Sequence, residues 1–467
     1  MKRQRIGHSM ALASVILIVG GFGPVVAQDA LAQDAAQDGG GGGTTLTFGV
    51  KSKLSVSDNY NLAITAPGTS TLLDTTLSFG YLTQTATDRF AFDLDGVLRA
   101  SDLPGVGSDL RFDDAKAALS YTREGANSRF SASADYNRVN LDFLDPFALA
   151  GLSDGGLTNS SGQLIRSNAR VTFETGTNSP LGFGIEAGHV ASDYSNTTDP
   201  TLFDTTTNDI ALTSRLRLSS VAEARAKLSQ EDYTANNLAG TKRTTRALSF
   251  GLAYALSPTT TLDVNAGVEK IDTVGGSTTR GNFGSVSLTR AMANGSAGLV
   301  LDRSFGIEGG RTTITAKRDL TLPSGTLAFS LGATRGELGG TEVIGNIAYS
   351  QTLARGALTA SLDRKVTSDA SGNDILSTNA ALGYSLDLTS VSNLALDFSY
   401  VETANIGSGT ATDSNRSSLR AEYTHALTAD WNLSAGYEHQ RLNTAGTGTA
   451  DSNTIFMTLG REFSIRR

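Results

Sequence analysis

Apolar and polar residues alternate along this chain from Thr44 onward. Between Leu46 and Val56 the even positions are mostly Leu, Phe or Val, whereas the odd ones are Thr, Lys or Ser apart from Gly49. Because side chains alternate faces along a strand, this pattern predicts a strand with one apolar and one polar face. It recurs in about 22 segments and is weakest near Arg311–Lys317 and Gly281–Leu288.

The connections between these segments alternate in length. Short ones such as Ala86–Asp88 and Leu256–Pro258 alternate with longer polar ones such as Asp58–Thr69 and Asp142–Gly162. Short turns on one side and long loops on the other are typical of barrels in the bacterial outer membrane, whose turns face the periplasm. We therefore predict an all-β fold: a transmembrane, up-and-down, antiparallel β-barrel of about 22 strands, with 20 to 22 compatible with the pattern.

The distribution of tyrosine and of charge fits a wall that faces lipid. One group of tyrosines lies on the apolar face just before a short turn: Tyr81, Tyr121, Tyr254, Tyr349, Tyr384 and Tyr423. Such a row predicts an aromatic girdle at the boundary between hydrocarbon and water. Cations interrupt the apolar face only near segment ends, as at Arg246 and Arg318. A soluble sandwich needs no girdle and a β-helix would show a short fixed repeat, so both are disfavoured.

Composition narrows the classes further. The chain has 467 residues, no cysteine, 51 glycines and a net charge of −8, and its mean hydropathy is −0.12. This mean hydropathy is too low for a bundle of membrane helices, and the acidic charge disfavours a nucleic-acid partner. Without cysteine, disulfides and thiolate metal sites are excluded.

The N-terminal residues have the order of a secretory signal peptide. Basic residues including Lys2 precede an apolar run from Met10 to Val19, and small residues follow. We predict a signal peptide over 1–27, with cleavage allowed up to residue 32, and export through the Sec pathway. A single membrane anchor is the alternative. Residues 28–43 then form a flexible Gly-rich leader, and 44–467 form one outer-membrane barrel.

Charged residues on the polar faces are candidates for the lumen. They are Lys51, Lys53, Asp93, Asp95, Asp114, Lys116, Arg170, Arg215, Arg217, Arg225 and Lys227. Both signs are interleaved, so no uniform selectivity ring is visible. Opposite charges either crosslink the wet wall or tune a diffusion path for polar solutes, and both readings stay open.

A barrel of about 22 strands would have a wide lumen unless some segment narrows it. Barrels of 22 strands in known transporters carry a plug, and the pattern predicts none ahead of the first strand. The long connection Asp142–Gly162 is the best internal candidate because it carries exposed apolar residues. Its constriction candidates are Phe143, Leu144, Phe147, Leu149 and Leu152. The alternative is a loop that packs on the rim or on surface polysaccharide.

Two segments resemble known outer-membrane patterns. Thr458, Gly460, Phe463 and Ile465 match the C-terminal assembly signal, polar-x-Gly-x-x-aromatic-x-hydrophobic, although the chain continues to Arg467. The segment Val56–Ala63 is similar to the S/T-D-N-x-N-L-A segment of a family of Gram-negative porin-like β-barrels, some of which are associated with exopolysaccharide systems. The resemblance implies contact with the barrel-assembly machinery, outer-membrane lipid and lipopolysaccharide.

The chain shows no nucleophile, metal-binding or phosphate-binding motif. We therefore expect no enzyme activity, no catalytic, cofactor-binding or metal-binding residue, and no cofactor. The leading hypothesis is an outer-membrane channel of the cell envelope that passes hydrophilic solutes or a secreted polysaccharide by passive diffusion. A non-conducting surface barrel for adhesion or envelope structure is the alternative. A rim hydrolase using His439 or His189 is a third.

Overall fold

The computed structural model describes residues 42–143, 161–197, 199–200, 202–238, 240–337, 339–368, 373–407 and 413–466. It confirms an all-β fold built on one antiparallel sheet of 22 strands. The first eleven strands are β1 Gly43–Ser57, β2 Ser70–Gln84, β3 Asp88–Leu103, β4 Gly107–Glu124, β5 Ser128–Asn140, β6 Gln163–Thr175, β7 Leu181–Ser195, β8 Thr205–Arg217, β9 Ala222–Ala235, β10 Lys242–Ser257 and β11 Thr260–Thr273. The others are β12 Thr278–Met292, β13 Gly295–Gly306, β14 Gly309–Leu322, β15 Gly325–Gly336, β16 Thr341–Leu353, β17 Gly356–Ser368, β18 Asp374–Thr389, β19 Ser392–Asn405, β20 Ser414–Ala426, β21 Trp431–Thr444 and β22 Gly448–Arg466.

The sheet closes on itself. Each strand pairs with the next along the chain, and β1 also pairs antiparallel with β22, from Thr45 opposite Arg466 to Ser57 opposite Thr454. An even strand count makes this last pairing antiparallel as well. Closure removes both open edges of the sheet, which would otherwise pair with other chains.

The two faces of the wall differ as the alternation predicts. Phe250 and Leu252 on β10 are 62% and 41% exposed, and they share a face with Leu228 and Val268 of the flanking strands. Side chains of the other, mostly polar face meet across non-neighbouring strands, as Arg420 of β20 and Phe456 of β22 do. Because side chains converge only on the concave side of a barrel, the polar face is the inner one.

The weakest predicted segments are genuine strands. Arg311–Lys317 lies in β14, and Gly281–Leu288 lies in β12. The alternation of short turns and long loops is less regular than predicted, since residues 307–308 alone join β13 to β14 on the long-loop side. The proposed signal peptide lies outside the described residues, and so does the leader except for its last two glycines.

One irregularity shapes the inner wall. The pairing of β3 with β4 shifts between Asp95 and Val97, which marks a β-bulge on β4. Within the bulge Asp114 has a φ of 50°, a left-handed conformation that Asp tolerates better than most residues. As a result two consecutive carboxylates, Asp113 and Asp114, reach the same arginine, Arg99. No helix in the described part of the chain is long and apolar enough to cross a membrane.

Candidate functional site: the barrel interior

The register assigns the predicted lumen residues to the inner face. Directly opposed residues of paired strands share a face, and these pairs extend around the barrel from β1 to β9. On this face lie Lys51, Lys53, Asp93, Asp95, Lys116, Arg170, Arg215, Arg217, Arg225 and Lys227. Asp114 belongs to the bulge and reaches the same face through its bond to Arg99.

Arg99 organises the inner wall near the long-loop end of β2, β3 and β4. Its Nε lies 2.7 Å from Asp74 Oδ1 and its Nη2 lies 2.9 Å from Asp114 Oδ2. Asp113 lies 3.6 Å from Nη1, and the side chains of Arg99 and Asp113 are only 5% and 2% exposed. Arg99 therefore contacts three carboxylates in a largely buried cluster. Arg111 Nε also lies 3.8 Å from Asp113. The sequence analysis did not single out Arg99, and the alternation of polar and apolar residues carries no sign of this convergence.

The described start of the connection after β5 lies over this cluster. A short 3-10 helix, Leu141–Phe143, follows β5 directly. The Phe143 ring lies 4.5 Å from the Arg99 guanidinium carbon and stacks at 5.7 Å on Tyr60 of the β1–β2 loop. The start of the predicted constriction loop thus lies against inner-wall side chains. The other candidates, Leu144, Phe147, Leu149 and Leu152, lie outside the described residues.

Phe456 fills the inner side of the seam between the first and last strands. It is 2% exposed, with Lys53 Nζ 4.9 Å and the Arg420 guanidinium carbon 4.5 Å from its ring centroid. Gly436 opposes it on β21, where a Cβ would lie 2.5 Å from the ring. We did not predict this residue. The signal was present, since three apolar residues, Ile455, Phe456 and Met457, interrupt the alternation.

The other side of the interior is more open and carries a basic depression. Its volume is about 470 Å³, and its wall runs from Glu174 on β6 to Ser285 on β12. Arg215, Arg225 and Lys227 line it. Arg225 pairs with Asp263, and Arg215 donates to two carbonyls of the β6–β7 turn at 2.9 Å. Within the described part of the chain Lys227 has no ion-pair partner.

A second group of contacts joins the loops at the mouth between β13 and β18. Glu308, in the connection between β13 and β14, accepts a hydrogen bond from the Asp374 backbone amide at 2.9 Å. Arg311 of β14 forms an ion pair with the Asp374 side chain. Glu337 accepts a bond from the Gly310 amide at 2.7 Å. The two contacts to Asp374 join non-neighbouring hairpins, and the Gly310–Glu337 bond joins neighbouring ones.

The segment that resembles the porin-like family, Val56–Ala63, fastens the seam. Asn59 is 2% exposed, and its Nδ2 donates to the Ala63 and Asp451 carbonyls at 2.8 and 2.9 Å. Leu62 packs with two inner-face residues of β21 and β22, Leu442 and Ala450. In this chain the segment therefore ties the first long loop to the last hairpin.

No family model and no curated protein matches the sequence. Solved structures do match in fold. The FrpB iron transporter from Neisseria meningitidis (F5-1 variant) aligns with a TM-score of 0.58 and 8% identity, over 92% of this chain and 84% of that one. The ferric enterobactin receptor of Pseudomonas aeruginosa gives 0.54 and 10%, over 91% and 82%. The ferric-catecholate import receptor Fiu from E. coli K12 gives 0.53 and 10%, over 89% and 81%. At such identities the likeness shows the fold alone, and it does not identify a porin-like family.

The remaining predicted residues have defined places in the wall. The girdle tyrosines lie on the outer face near the short turns: Tyr81, Tyr121, Tyr254, Tyr349, Tyr384 and Tyr423. In the assembly-signal segment, Phe463 stacks on Phe48 of β1 at 5.4 Å, and Ile465 opposes Leu46. Thr458 and Gly460 lie on the inner face of the same strand. Their role in assembly stays a prediction.

The two histidines considered for a rim hydrolase, His439 and His189, lie on the outer side of the wall. His439 Nδ1 lies 3.0 Å from Asn453 Oδ1 and its Nε2 lies 4.0 Å from Asp451. His189 bonds Asn208 at 2.7 Å. Neither histidine has a hydroxyl partner among the described residues, and no group of side chains there could hold a metal ion.

Proposed function

We propose that this chain is an outer-membrane channel through which hydrophilic solutes, or a secreted polysaccharide, pass by diffusion. The observation that carries the proposal is the division of the closed wall into an exposed apolar outer face and a polar inner face. Phe250 and Ile347 on the outer face are 62% and 42% exposed, which suits contact with lipid. The inner face combines the Arg99 cluster with the open basic depression.

The proposal is supported by what lies inside the wall. Outer-membrane transporters whose barrels have 22 strands contain a plug in the lumen. From Gly42 to Arg466, the described residues form strands, turns and loops of a single wall, and none of them forms a separate domain in the lumen. We propose that loops narrow the lumen, among them the β5–β6 connection, whose described start at Phe143 lies 4.5 Å from the Arg99 guanidinium carbon.

Export and assembly belong to the same proposal. A signal peptide over 1–27 would carry the chain through the Sec pathway, and N-terminal sequencing of the mature protein tests this directly. The seam between β1 and β22 carries the proposed assembly signal, so contact with the barrel-assembly machinery would precede closure. Outer-membrane lipid, including lipopolysaccharide, would then surround the apolar face.

Planar-bilayer recording of the refolded protein tests the channel proposal. We expect stable single-channel steps carried by small ions, and permeation by neutral oligosaccharides in liposome swelling. A correctly folded protein that gives no steps would contradict the proposal and favour the non-conducting surface barrel. Barrel folding is checked independently by the β-sheet circular dichroism signal in the same detergent.

A further inference from the structure

Three cations stand side by side on the outer face near the long-loop end of β10, β11 and β12. Arg246 is directly opposite Lys270, and Lys270 is directly opposite Arg280. We call these residues the cation row. Directly opposed residues have Cβ atoms about 4.5–5.5 Å apart, and like charges placed this way destabilise a sheet. Three adjacent cations therefore need a nearby negative charge to offset their repulsion.

The protein itself supplies only part of the negative charge that the cation row needs. Asp272 lies 2.6 Å from Lys270 Nζ and 3.8 Å from Arg246 Nη1. Arg246 also donates to Gln230 at 2.9 Å. Arg280 is exposed and has no ion-pair partner in the described part of the chain. Asp232, on the row nearer the mouth, is already bonded to Thr244 and Gln230.

The row directly below is apolar. Leu228, Leu248 and Val268 lie next to one another across β9, β10 and β11, and they are 52%, 40% and 56% exposed. Together with Arg246, Lys270, Arg280 and Asn282 they line an outer groove of about 470 Å³. A groove with cations at one end and aliphatic side chains at the other is complementary to an amphipathic anion.

The height of the cation row matches a membrane boundary. Arg246 precedes Tyr254 by eight residues on β10, which is about 26 Å along a strand at roughly 3.3 Å per residue. A strand tilt of about 40° reduces this to about 20 Å, close to the roughly 25 Å apolar band of such barrels. Tyr254 marks one border of that band, so the cation row marks the opposite border.

We propose that the cation row binds the phosphate groups of a phosphorylated lipid in the leaflet at the long-loop end, with an acyl chain along Leu228, Leu248 and Val268. The site rests on the proposed outer-membrane location, where lipid A is the phosphorylated lipid to test. Guanidinium groups bind phosphate oxygens in bidentate fashion, and a phosphate monoester carries about −1.5 to −2 charges. Asp272 offsets only part of the repulsion among the three cations. One phosphate between Lys270 and Arg280 offsets the rest.

Binding of lipid A to the detergent-solubilised protein, followed by native mass spectrometry, tests this proposal. We expect the triple variant Arg246→Gln, Lys270→Gln, Arg280→Gln to bind diphosphoryl lipid A at least about tenfold more weakly than the wild type. Arg290→Gln is the matched control, because Arg290 is an outward cation at the other end of β12. It should bind as the wild type does. Dephosphorylated lipid A should bind the wild type as weakly as the triple variant binds the diphosphoryl form.

Several results would overturn the proposal: equal binding by the triple variant, equal binding of dephosphorylated lipid A, or displacement of lipid A by equimolar inorganic phosphate. If the triple variant fails to fold, Arg280→Gln alone should still weaken binding severalfold, and no change would count against the site. The readout is independent of conduction. Unchanged single-channel conductance in a variant that has lost lipid binding would separate the two proposals.

Discussion

The carboxylate of Asp58 accepts two hydrogen bonds from Asn453, one from its backbone amide and one from its side-chain amide, each at 2.8 Å. The Asp58 amide donates in return to the Asn453 carbonyl at 3.2 Å. Asp58 immediately follows β1, and Asn453 lies on β22. This residue pair extends the contact between the first and last strands beyond the end of their ladder, at the mouth of the barrel.

Asp58→Ala should lower the free energy of unfolding by about 1–2 kcal/mol, because two hydrogen bonds to a charged acceptor are lost from the seam. Urea titration of the refolded protein measures this. Asp102→Ala serves as the control, since it removes only one exposed bond, from Ser108 at 3.3 Å. If both variants lose the same free energy of unfolding, the Asp58 contact at the seam stabilises the fold no more than the exposed Asp102 bond does.

The contribution of Asp58 should depend on pH. Although burial alone would raise it, the hydrogen bonds from Asn453 lower the pKa of Asp58. A carboxyl whose pKa is lowered by folding stabilises the fold above its unfolded value, about 4, and loses that contribution as pH falls through the folded value. The stability difference between wild type and Asp58→Ala should therefore be full at pH 7 and shrink toward pH 2. A difference that stays constant would contradict the ionic nature of the contact.

Phe456→Ala should lower the free energy of unfolding by about 3–5 kcal/mol, because it leaves a cavity beneath Lys53 and Arg420. The neighbouring variant Ile455→Ala is the control, since Ile455 points outward and is 68% exposed. We expect it to cost less than half as much in the same urea titration. Equal losses of unfolding free energy in the two variants would mean that Phe456 does not pack the inner side of the seam.

Arg99→Met should lower the free energy of unfolding by about 3–5 kcal/mol, because it removes the cation shared by three carboxylates of a largely buried cluster. The contact that remains, from Arg111 to Asp113, is long at 3.8 Å. Arg123→Met is the matched control: its side chain is 67% exposed, and its partner Asp88 lies 3.8 Å away. An exposed pair of this kind contributes about 1 kcal/mol or less. Thermal or urea unfolding compares the two, and similar losses would contradict the organising role of Arg99.

Reversing charge in the basic depression should change ion selectivity. The double variant Arg225→Glu, Lys227→Glu should shift the anion-to-cation permeability ratio severalfold toward cations, since fixed charges lining a pore select ions of opposite sign. Reversal potentials across a salt gradient measure the ratio. The matched double variant Arg290→Glu, Arg318→Glu changes two outward cations and should leave the ratio as it is. An unchanged ratio in the inner-face variant would exclude the depression from the ion path.

Deleting Phe143–Leu157 should raise single-channel conductance severalfold if the loop that begins on Arg99 narrows the lumen. The point variant Ile64→Ala, in the neighbouring β1–β2 loop, is the control, since Ile64 is 57% exposed and should leave conductance unchanged. Unchanged conductance and solute uptake after the deletion would reject the constriction role.

The strand pattern of this fold was predictable because lipid and water impose opposite demands on alternate residues. Side chains such as Phe250 and Asp263 carry that pattern strongly enough to fix strand number and facing. The bulge at Asp113 and Asp114 was not predictable, since it inverts the alternation by one residue. The meeting of Glu308 with Asp374 was not predictable either, because it depends on how far each hairpin bends inward, and periodicity carries no information on that.

The antiparallel pairing of β1 with β22 limits how this barrel can change size. Removing a single strand would leave the first and last strands running in the same direction, with the slanted, slightly weaker bonds of a parallel pair. The register from Thr45 to Ser57 would then be lost together with the Asp58 contact. As long as every neighbour stays antiparallel, the bore can widen or contract only by whole hairpins, two strands at a time.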